Sequence, residues 1–261
     1  MDREQGLGAM PLGTGSVSPP RRLRGRRKER RTTGPVLPGL LISGVIAAMV
    51  MLHDPGMTGY RFRQVVDHLT GADAGSYAFV LTTPQGDPVG WDHCDPIDYV
   101  VNPEGAPDDW EDTVDDAIGR VQDASGFEFA YGGTSEDREL DGRVADPDNP
   151  PPVLIAWADA DEVPELAGST AGIAGSTPDG LGNGVRYISG TVVLDTEAYD
   201  RMDQQNDDLG QRLILAHELG HVLGLDHVDD TDELMNPKYV GQTDFGVGDR
   251  KGLEQLHDLP C

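Results

Sequence analysis

The amino-acid sequence predicts an α/β fold in which one mixed β-sheet packs against helices. Short apolar segments typical of strands alternate with segments whose apolar residues recur at helical spacing, in the order strand, helix, strands, helix, helix. The length of 261 residues allows one domain of about 150 to 200 residues plus additional segments. Because 46 acidic residues outnumber 20 Lys and Arg residues, for a net charge of -26, we exclude a nucleic-acid-binding protein.

The first half of the predicted domain alternates between strand and helix. A strand over residues 97–101 leads to a helix within residues 108–126, where apolar residues recur at helical spacing. Asp108 is the expected N-cap of this helix, and Gly126 is expected to end it. A second strand is expected over residues 127–131.

The second half begins after a polar, proline-rich loop. Three further strands are expected, over residues 153–159, 171–176 and 186–195. The longest helix is predicted over Asp208–Leu223, because apolar residues follow one side of it. A last helix is predicted from Asp249, its expected N-cap, to His257.

Charge is distributed unevenly along the chain. Residues 1–35 hold nine basic and three acidic residues, a net charge of +6, and have the composition of a disordered cytoplasmic tail. Residues 36–52 form an uncharged apolar run typical of a signal anchor or of the hydrophobic part of a signal peptide; a buried core helix is the third alternative. The first two place the rest of the chain outside the cell, bound to the cell membrane through residues 36–52 or secreted after cleavage. Residues 53–76 are the expected linker to a folded domain at 77–261.

The chain contains two cysteines. Cys94 lies near the start of the predicted domain and Cys261 is the last residue. In an exported protein a disulfide between them would tie the C-terminal end back to the start of the domain. Two unpaired thiols are the alternative.

The sequence HELGHVLGLDH, at residues 217–227, predicts a metal site. Residues four apart lie on one face of a helix, so His217 and His221 can bind the same metal ion. Gly224 allows the chain to leave the helix and bring His227 back as a third ligand. Three protein ligands and an open position predict one catalytic Zn²⁺ rather than a structural one; histidines of a solvated helix without metal are the alternative. Glu218 is not a ligand and is placed to act as general base toward a water that zinc acidifies.

Met235 follows this motif in the segment ELMNP. Together the motif and this methionine resemble the metzincin zinc endopeptidases, and among them the matrixins, or matrix metalloproteinases, in a minimal version of bacterial style. The resemblance implies a five-stranded mixed, twisted sheet with three main helices, zinc in the cleft, Met235 as a hydrophobic base beneath the metal, and a catalytic domain at 77–261. It also implies that the strand at 171–176 is an antiparallel edge strand lining the cleft, and that residues 236–247 form the wall of the pocket for the side chain after the scissile bond.

The chain also departs from the pattern of this family. No histidine lies between His93 and His217, so the second, structural zinc of matrixins is not expected. A latency peptide with a zinc-blocking cysteine is not expected either, because Cys94 immediately precedes the first predicted strand; a thiol switch at Cys94 is a further hypothesis. Asn236 replaces the tyrosine that usually follows the methionine.

Calcium is a further candidate cofactor, although a solvated acidic surface is the favoured interpretation. Four acidic residues border loops where the family often binds Ca²⁺, and their oxygen atoms suit this ion. These residues are Asp159, Asp161, Asp195 and Glu197. The acidity of the whole chain favours the solvated surface.

These observations predict a zinc-dependent endopeptidase, expected to be a monomer, that hydrolyses peptide bonds in protein or peptide substrates by a zinc-bound water with Glu218 as general base. The alternative is an exported metal-binding adhesion or interaction module without appreciable proteolysis, against which the intact Glu218 argues. Zinc-dependent hydrolysis of a non-peptide amide is a third hypothesis. The sequence leaves the cleavage specificity open.

Overall fold

The computed structural model describes residues 75–140, 143 and 146–261. The predictions for residues 1–35 and 36–52, and for all but the last two residues of the linker, lie outside the described residues. Within the described part of the chain, no helix has the length and hydropathy of a membrane span.

A five-stranded mixed sheet forms the centre of the described region. The seven strands are β1 (Ala78–Phe79), β2 (Ile97–Asn102), β3 (Phe129–Thr134), β4 (Val153–Ala158), β5 (Gly172–Asp179), β6 (Arg186–Asp195) and β7 (Leu225–Asp226). The central sheet has the order β3-β2-β4-β6-β5, and β1 pairs with β7 in a separate two-stranded sheet. All neighbours in the central sheet are parallel except β5, which runs antiparallel to β6 at the edge. The predicted mixed sheet with an antiparallel edge strand is confirmed.

Among the described residues, four α-helices accompany the strands. They are α1 (Trp110–Ser125), α2 (Thr196–Gln205), α3 (Asp208–Leu223) and α4 (Val247–His257). Short 3-10 turns lie at Pro164–Leu166 and Gly182–Gly184. The bounds of α3 agree with the prediction, and the side chain of Asp207 caps its start by accepting a hydrogen bond from the N–H of Gly210 at 3.0 Å.

The hydrophobic core lies on both faces of β4, whose six residues are all buried. Successive side chains of a strand point to opposite faces, so Val153, Ile155 and Trp157 pack with the residues of α1 and α3. On the other face, Leu154 and Ala156 pack against the loop that follows β4. Burial on both faces is typical of a central strand in a parallel sheet, and it explains why this strand is apolar throughout.

Several predicted element boundaries were wrong, including the end of β5, which lies at Asp179 rather than at residue 176. The second strand was predicted to begin at residue 127, but Phe127 is buried in the core and β3 begins at Phe129. Helix α1 has Asp109, not Asp108, as its N-cap. Helix α4 begins at Val247 with Gly246 as its N-cap, because the carboxylate of Asp249 reaches back to the N–H of Gly246 at 3.0 Å.

Candidate metal centre

Helix α3 places His217 and His221 one turn apart, on the side that faces the cleft. The Nδ1 atom of His217 lies 2.7 Å from the carbonyl oxygen of Leu234, and Nδ1 of His221 lies 2.8 Å from that of Leu225. A carbonyl can only accept, so each Nδ1 carries the proton and donates it. The lone pair of each Nε2 is therefore free for a metal ion.

The turn after α3 brings the third histidine back toward the helix. Gly224 has φ 119°, in the region that favours glycine, and its N–H donates to the carbonyl of His221 at 3.0 Å. The chain then forms β7, which β1 holds in place through antiparallel pairing. The N–H of His227 donates to the side chain of Asp226 at 2.7 Å, which fixes the start of the next segment.

The three imidazoles converge on one point. The Nε2 atom of His227 lies 3.1 Å from Nε2 of His217 and 3.1 Å from Nε2 of His221. Two nitrogen ligands at about 2.0–2.1 Å from a tetrahedral zinc are separated by roughly 3.3 Å. Spacing and donor type therefore both fit a zinc ion, and this trio is one of two His, Cys or acidic clusters among the described residues that could hold a metal.

The protonation states of these histidines also favour metal binding. Burial lowers the pKa of His217 to about 3, with smaller contributions in the same direction from the charges of His221 and His227. Burial also lowers the pKa of His221. A metal ligand must be a neutral imidazole, so these two side chains are in the binding form at neutral pH.

Glu218 lies beside this cluster and is nearly buried, with 6% of its surface exposed. Burial raises the pKa of its carboxyl group to about 8 in the chain without metal. The edge strand β5 passes directly over it at Gly172, where an added Cβ would lie 2.8 Å from Cγ and 2.9 Å from Oε1 of Glu218. The absence of a side chain at Gly172 therefore leaves the room that the Glu218 carboxyl group occupies.

Met235 forms part of the floor beneath α3. Its side chain is buried, and an added Cβ on Gly220 of α3 would lie 2.7 Å from its Sδ atom. The carboxylate of Asp249, at the start of α4, accepts hydrogen bonds from the N–H groups of Leu234 at 2.5 Å and of Met235 at 3.4 Å. Because the carbonyl of Leu234 orients His217, Asp249 supports the three-histidine cluster through this turn.

A cleft of about 590 Å³ opens above the three histidines. The strand β5 lines one side of it, and Asn236, Pro237, Tyr239 and Gln242 line another. These four residues belong to the segment 236–247, which the resemblance assigned to the wall of the pocket.

Gln242 ties this segment together. Its Nε2 donates to the carbonyls of Glu233 at 3.2 Å, Thr231 at 3.3 Å and Lys238 at 3.4 Å, and its Oε1 accepts from the N–H of Val240 at 2.9 Å. One buried amide thus joins the chain before Met235 to the chain after it. The shape of this side of the cleft therefore depends on Gln242.

The other predicted site residues lie away from the histidine cluster. Cys94 and Cys261 are joined in a disulfide across 167 residues of sequence. Asp159 accepts hydrogen bonds from the N–H groups of its own turn, and Asp195 caps α2 by accepting from Ala198. Neither these two aspartates nor Asp161 and Glu197 belong to a possible metal cluster among the described residues, so calcium binding stays a prediction.

Sequence reasoning missed the residues that support the site without belonging to the motif. Gly172 and Asp249 contact residues that are 14 or more positions away. The hydrogen bonds of Gln242 reach back to Glu233 and Thr231, 9 and 11 positions earlier. A weak signal existed for Asp249, since an acidic residue three positions after a glycine cap is typical of the first helical turn. No comparable signal marks Gly172 or Gln242.

The mixed sheet with an antiparallel edge strand, together with three histidines converging beside a glutamate above a buried methionine, defines a metzincin-like domain. Residues 173–258 match the family model described as Matrixin. This segment contains all three histidines, Glu218 and Met235. The chain therefore contains a matrixin-like domain.

The chain is also similar to individual matrix metalloproteinases over short segments. The chain is 40% identical to stromelysin-3 of Mus musculus over 60 residues, which are 22% of this chain and 12% of that protein. It is 26% identical to matrix metalloproteinase-21 of Xenopus laevis over 74 residues, 27% of this chain and 12% of that protein. The chain spans only 12% to 16% of the length of the curated relatives that it matches.

Among solved structures, archaemetzincin from Methanopyrus kandleri is similar over 62% of this chain and 95% of its own length. The TM-score of this pair is 0.42 and the sequence identity is 16%.

Proposed function

We propose that this protein is a zinc-dependent endopeptidase in which His217, His221 and His227 hold the metal and Glu218 is the general base. One observation carries the proposal: three imidazoles, with Nε2 atoms 3.1 Å apart in two of the pairs, line an open cleft beside the carboxyl group of Glu218. A zinc ion bound there would polarise a scissile carbonyl and acidify a water molecule.

The chain's own residues then have separate roles. The backbone carbonyls of Leu234 and Leu225 hold His217 and His221 in the tautomer that binds metal. Burial raises the pKa of Glu218, whereas a cation on the neighbouring imidazoles favours the carboxylate. The Glu218 carboxylate can then accept the proton of the attacking water and deliver it to the leaving amine.

The edge strand supports a peptide as the substrate. Within the part of the chain that the structure describes, strand β5 pairs with β6 on one side only, and residues 171–174 line the cleft. An extended peptide can add to the free edge of β5 through backbone hydrogen bonds. The segment 236–247, braced by Gln242, then contacts the substrate side chain after the scissile bond.

The test is the substitution Glu218→Gln, which keeps the shape of the side chain but removes the base. We expect the variant to keep one equivalent of zinc and to lose chelator-sensitive cleavage of casein by about 10²–10⁴-fold. Glu254→Gln, at an exposed position on α4, is the matched control and should cleave like the wild type.

Turnover by Glu218→Gln at the wild-type rate would reject the assignment of the general base. If the wild-type chain binds zinc but cleaves neither casein nor a peptide library, the domain is instead a metal-binding interaction module. Mass spectrometry of the library products would give the cleavage specificity in the same experiment.

A further inference from the structure

A second group of side chains that could bind a metal lies where the segment before β2 meets the segment after α4. Cys94, just before β2, forms a disulfide with Cys261. The ring of His93 lies against the Sγ atom of Cys261. The Nε2 atom of His93 is 3.5 Å from Sγ of Cys261, and Nδ1 is 3.8 Å from it. The ligand atoms of these three residues all lie within 4.8 Å of one another.

A fourth potential ligand, His257, lies beside His93. It is in the last turn of α4, where its ring packs edge-on against Phe127, at a centroid distance of 5.2 Å. The ring centroids of His257 and His93 are 4.7 Å apart. The corresponding distances between the three histidines of the candidate metal centre are 4.6, 4.8 and 5.2 Å. The rings of His93 and His257 are therefore as close to each other as the rings of those histidines are.

We propose that reduction of the disulfide converts this group into a second zinc site, with Cys94, Cys261 and His93 as ligands and His257 as the fourth. Two thiolates and two imidazoles are a ligand set that closes all four positions of a structural zinc. At Zn–S about 2.3 Å and Zn–N about 2.0–2.1 Å, a sulfur and a nitrogen on a tetrahedral zinc are roughly 3.5 Å apart. The distance between His93 Nε2 and Cys261 Sγ already has this value.

The disulfide and the zinc site exclude each other, because disulfide sulfurs are not thiolates. A dithiol reductant supplies two electrons and two protons, so that the S–S bond breaks, two thiols form, and the reductant becomes a cyclic disulfide. Binding of Zn²⁺ then forms two Zn–S bonds and releases both thiol protons to solvent. Cys261 is exposed, so once the disulfide is broken its sulfur has room to move into a tetrahedral arrangement.

The site would fasten the same two segments in reducing and in oxidising surroundings. The disulfide holds the end of α4 to the start of β2 when thiols are oxidised, and zinc would hold it when they are reduced. This role is separate from the proposed peptidase centre, whose ligands are all imidazoles.

Cobalt substitution in the full chain distinguishes the two sites. Only cobalt bound by cysteine gives a thiolate-to-cobalt charge-transfer band in the near ultraviolet, which the three-histidine cluster cannot produce. After reduction with a phosphine, which adds no thiol of its own, we expect this band to appear with one additional equivalent of bound cobalt. The oxidised chain should bind one equivalent fewer and show no band.

Two variants test the ligand set. Reduced Cys261→Ser should bind cobalt at this site at least tenfold more weakly and should lose most of the thiolate-to-cobalt band. Reduced His93→Ala, which keeps both cysteines, should likewise weaken cobalt binding at this site by at least tenfold. The proposal is overturned if the reduced wild-type chain shows no sulfur band in excess cobalt, or if His93→Ala together with His257→Ala leaves band and affinity unchanged.

Discussion

At the scale of single residues, Gly172 limits where the carboxyl group of Glu218, the proposed general base, can lie. The strand β5 passes so close to Glu218 that any side chain at this position would meet the carboxyl group. The same strand contains Gly175, where an added Cβ would have no atom within 4 Å. Neither glycine has a positive φ, so alanine is compatible with the backbone at both positions.

We therefore expect Gly172→Ala to displace the Glu218 carboxyl group and to lower kcat by about tenfold or more, because general-base catalysis requires hydrogen-bond distance. Gly175→Ala should change kcat by less than twofold. Steady-state kinetics with a fluorogenic peptide and a zinc assay would separate loss of the base from loss of the metal. Equal kcat values for the two variants would show that the close contact has no catalytic consequence.

Asp249 is a second residue whose environment leads to a prediction. It is fully buried, and burial raises the pKa of its carboxyl group to about 6, with the charge of Glu233 acting in the same direction. The N–H groups of Gly246, Leu234 and Met235 oppose this shift without cancelling it. Because the folded-state pKa lies above the unfolded value, the folded state binds this proton more tightly.

The contribution of this proton to stability is complete below about pH 4 and is lost as the pH rises through about 6. The difference between the folded-state and unfolded-state pKa values of Asp249 corresponds to about 2–3 kcal/mol of unfolding free energy. We would measure denaturant unfolding of the wild type and of Asp249→Asn, both with excess chelator. Between pH 4 and pH 7 the unfolding free energy of the wild type should fall by this amount relative to that of the variant. Parallel pH profiles of the two unfolding free energies would contradict the raised pKa of Asp249.

At the scale of elements, α3 combines two conflicting requirements. It must present His217 and His221 to the cleft and also pack closely over Met235 at Gly220. Gly220 makes the second contact possible, although glycine inside a helix costs about 0.5–1 kcal/mol relative to alanine. Gly119 in α1 carries the same cost with open space around it.

Alanine at these two positions should have opposite effects on stability. Gly119→Ala should raise the free energy of unfolding by about 0.5–1 kcal/mol. Gly220→Ala should lower it by about 1–3 kcal/mol, because its Cβ would overlap Met235 Sδ and force the turn to shift. Since the Leu234 carbonyl orients His217, the Gly220 variant should also bind zinc more weakly in competition with a chromophoric chelator. Stabilisation by both substitutions would refute the packing argument.

The sequence predicted the elements whose signals are local. The helix α3 and the strand β6 were predicted with the bounds that the structure shows, since Gly224 ends the first and the second is rich in β-branched residues. Helix α2 was missed because it is highly polar and buries only Ala198 and Tyr199. Its signal is the capping side chain of Asp195, which the sequence offered only as a candidate calcium ligand.

The three histidines and their glutamate were recognisable because their spacing follows from one helix and one turn. The supporting contacts were not, because they join distant parts of the chain. Asp249 was predicted to cap its own helix, but it also accepts hydrogen bonds from Leu234 and Met235, 15 and 14 residues earlier. Gln242 and Gly172 depend in the same way on the tertiary structure.

At the scale of the whole molecule, the acidity belongs to one part of the chain. Residues 53–261 hold 43 acidic and 11 basic residues, a net charge of -32, whereas residues 1–35 carry +6. Such a field keeps a domain soluble and raises the association rate of basic peptides at low ionic strength, although salt screens much of it. A negatively charged domain is also repelled by an anionic membrane surface.

We propose that residues 36–52 anchor the protein in the cell membrane, with the acidic domain outside. The apolar run of 17 residues lies at the short end of what a bilayer requires, and the basic block before it favours the cytoplasmic side. We expect the full chain to sediment with membranes, to resist extraction by high salt and carbonate, and to be released by detergent. External protease should reach the domain in intact cells.

The matched variant replaces Ile46 and Val50 with lysine, which makes the run too polar to insert while residues 1–35 keep their charge. If the anchor holds the protein, this variant should leave the membrane fraction entirely. If the basic segment alone held it by attraction to anionic lipids, the variant would stay bound at low salt and both proteins would be released at high salt. An intact wild-type chain in the cytosol would overturn the proposal. A mature protein in the medium whose first residue lies after position 45 would replace the anchor with a cleaved signal peptide.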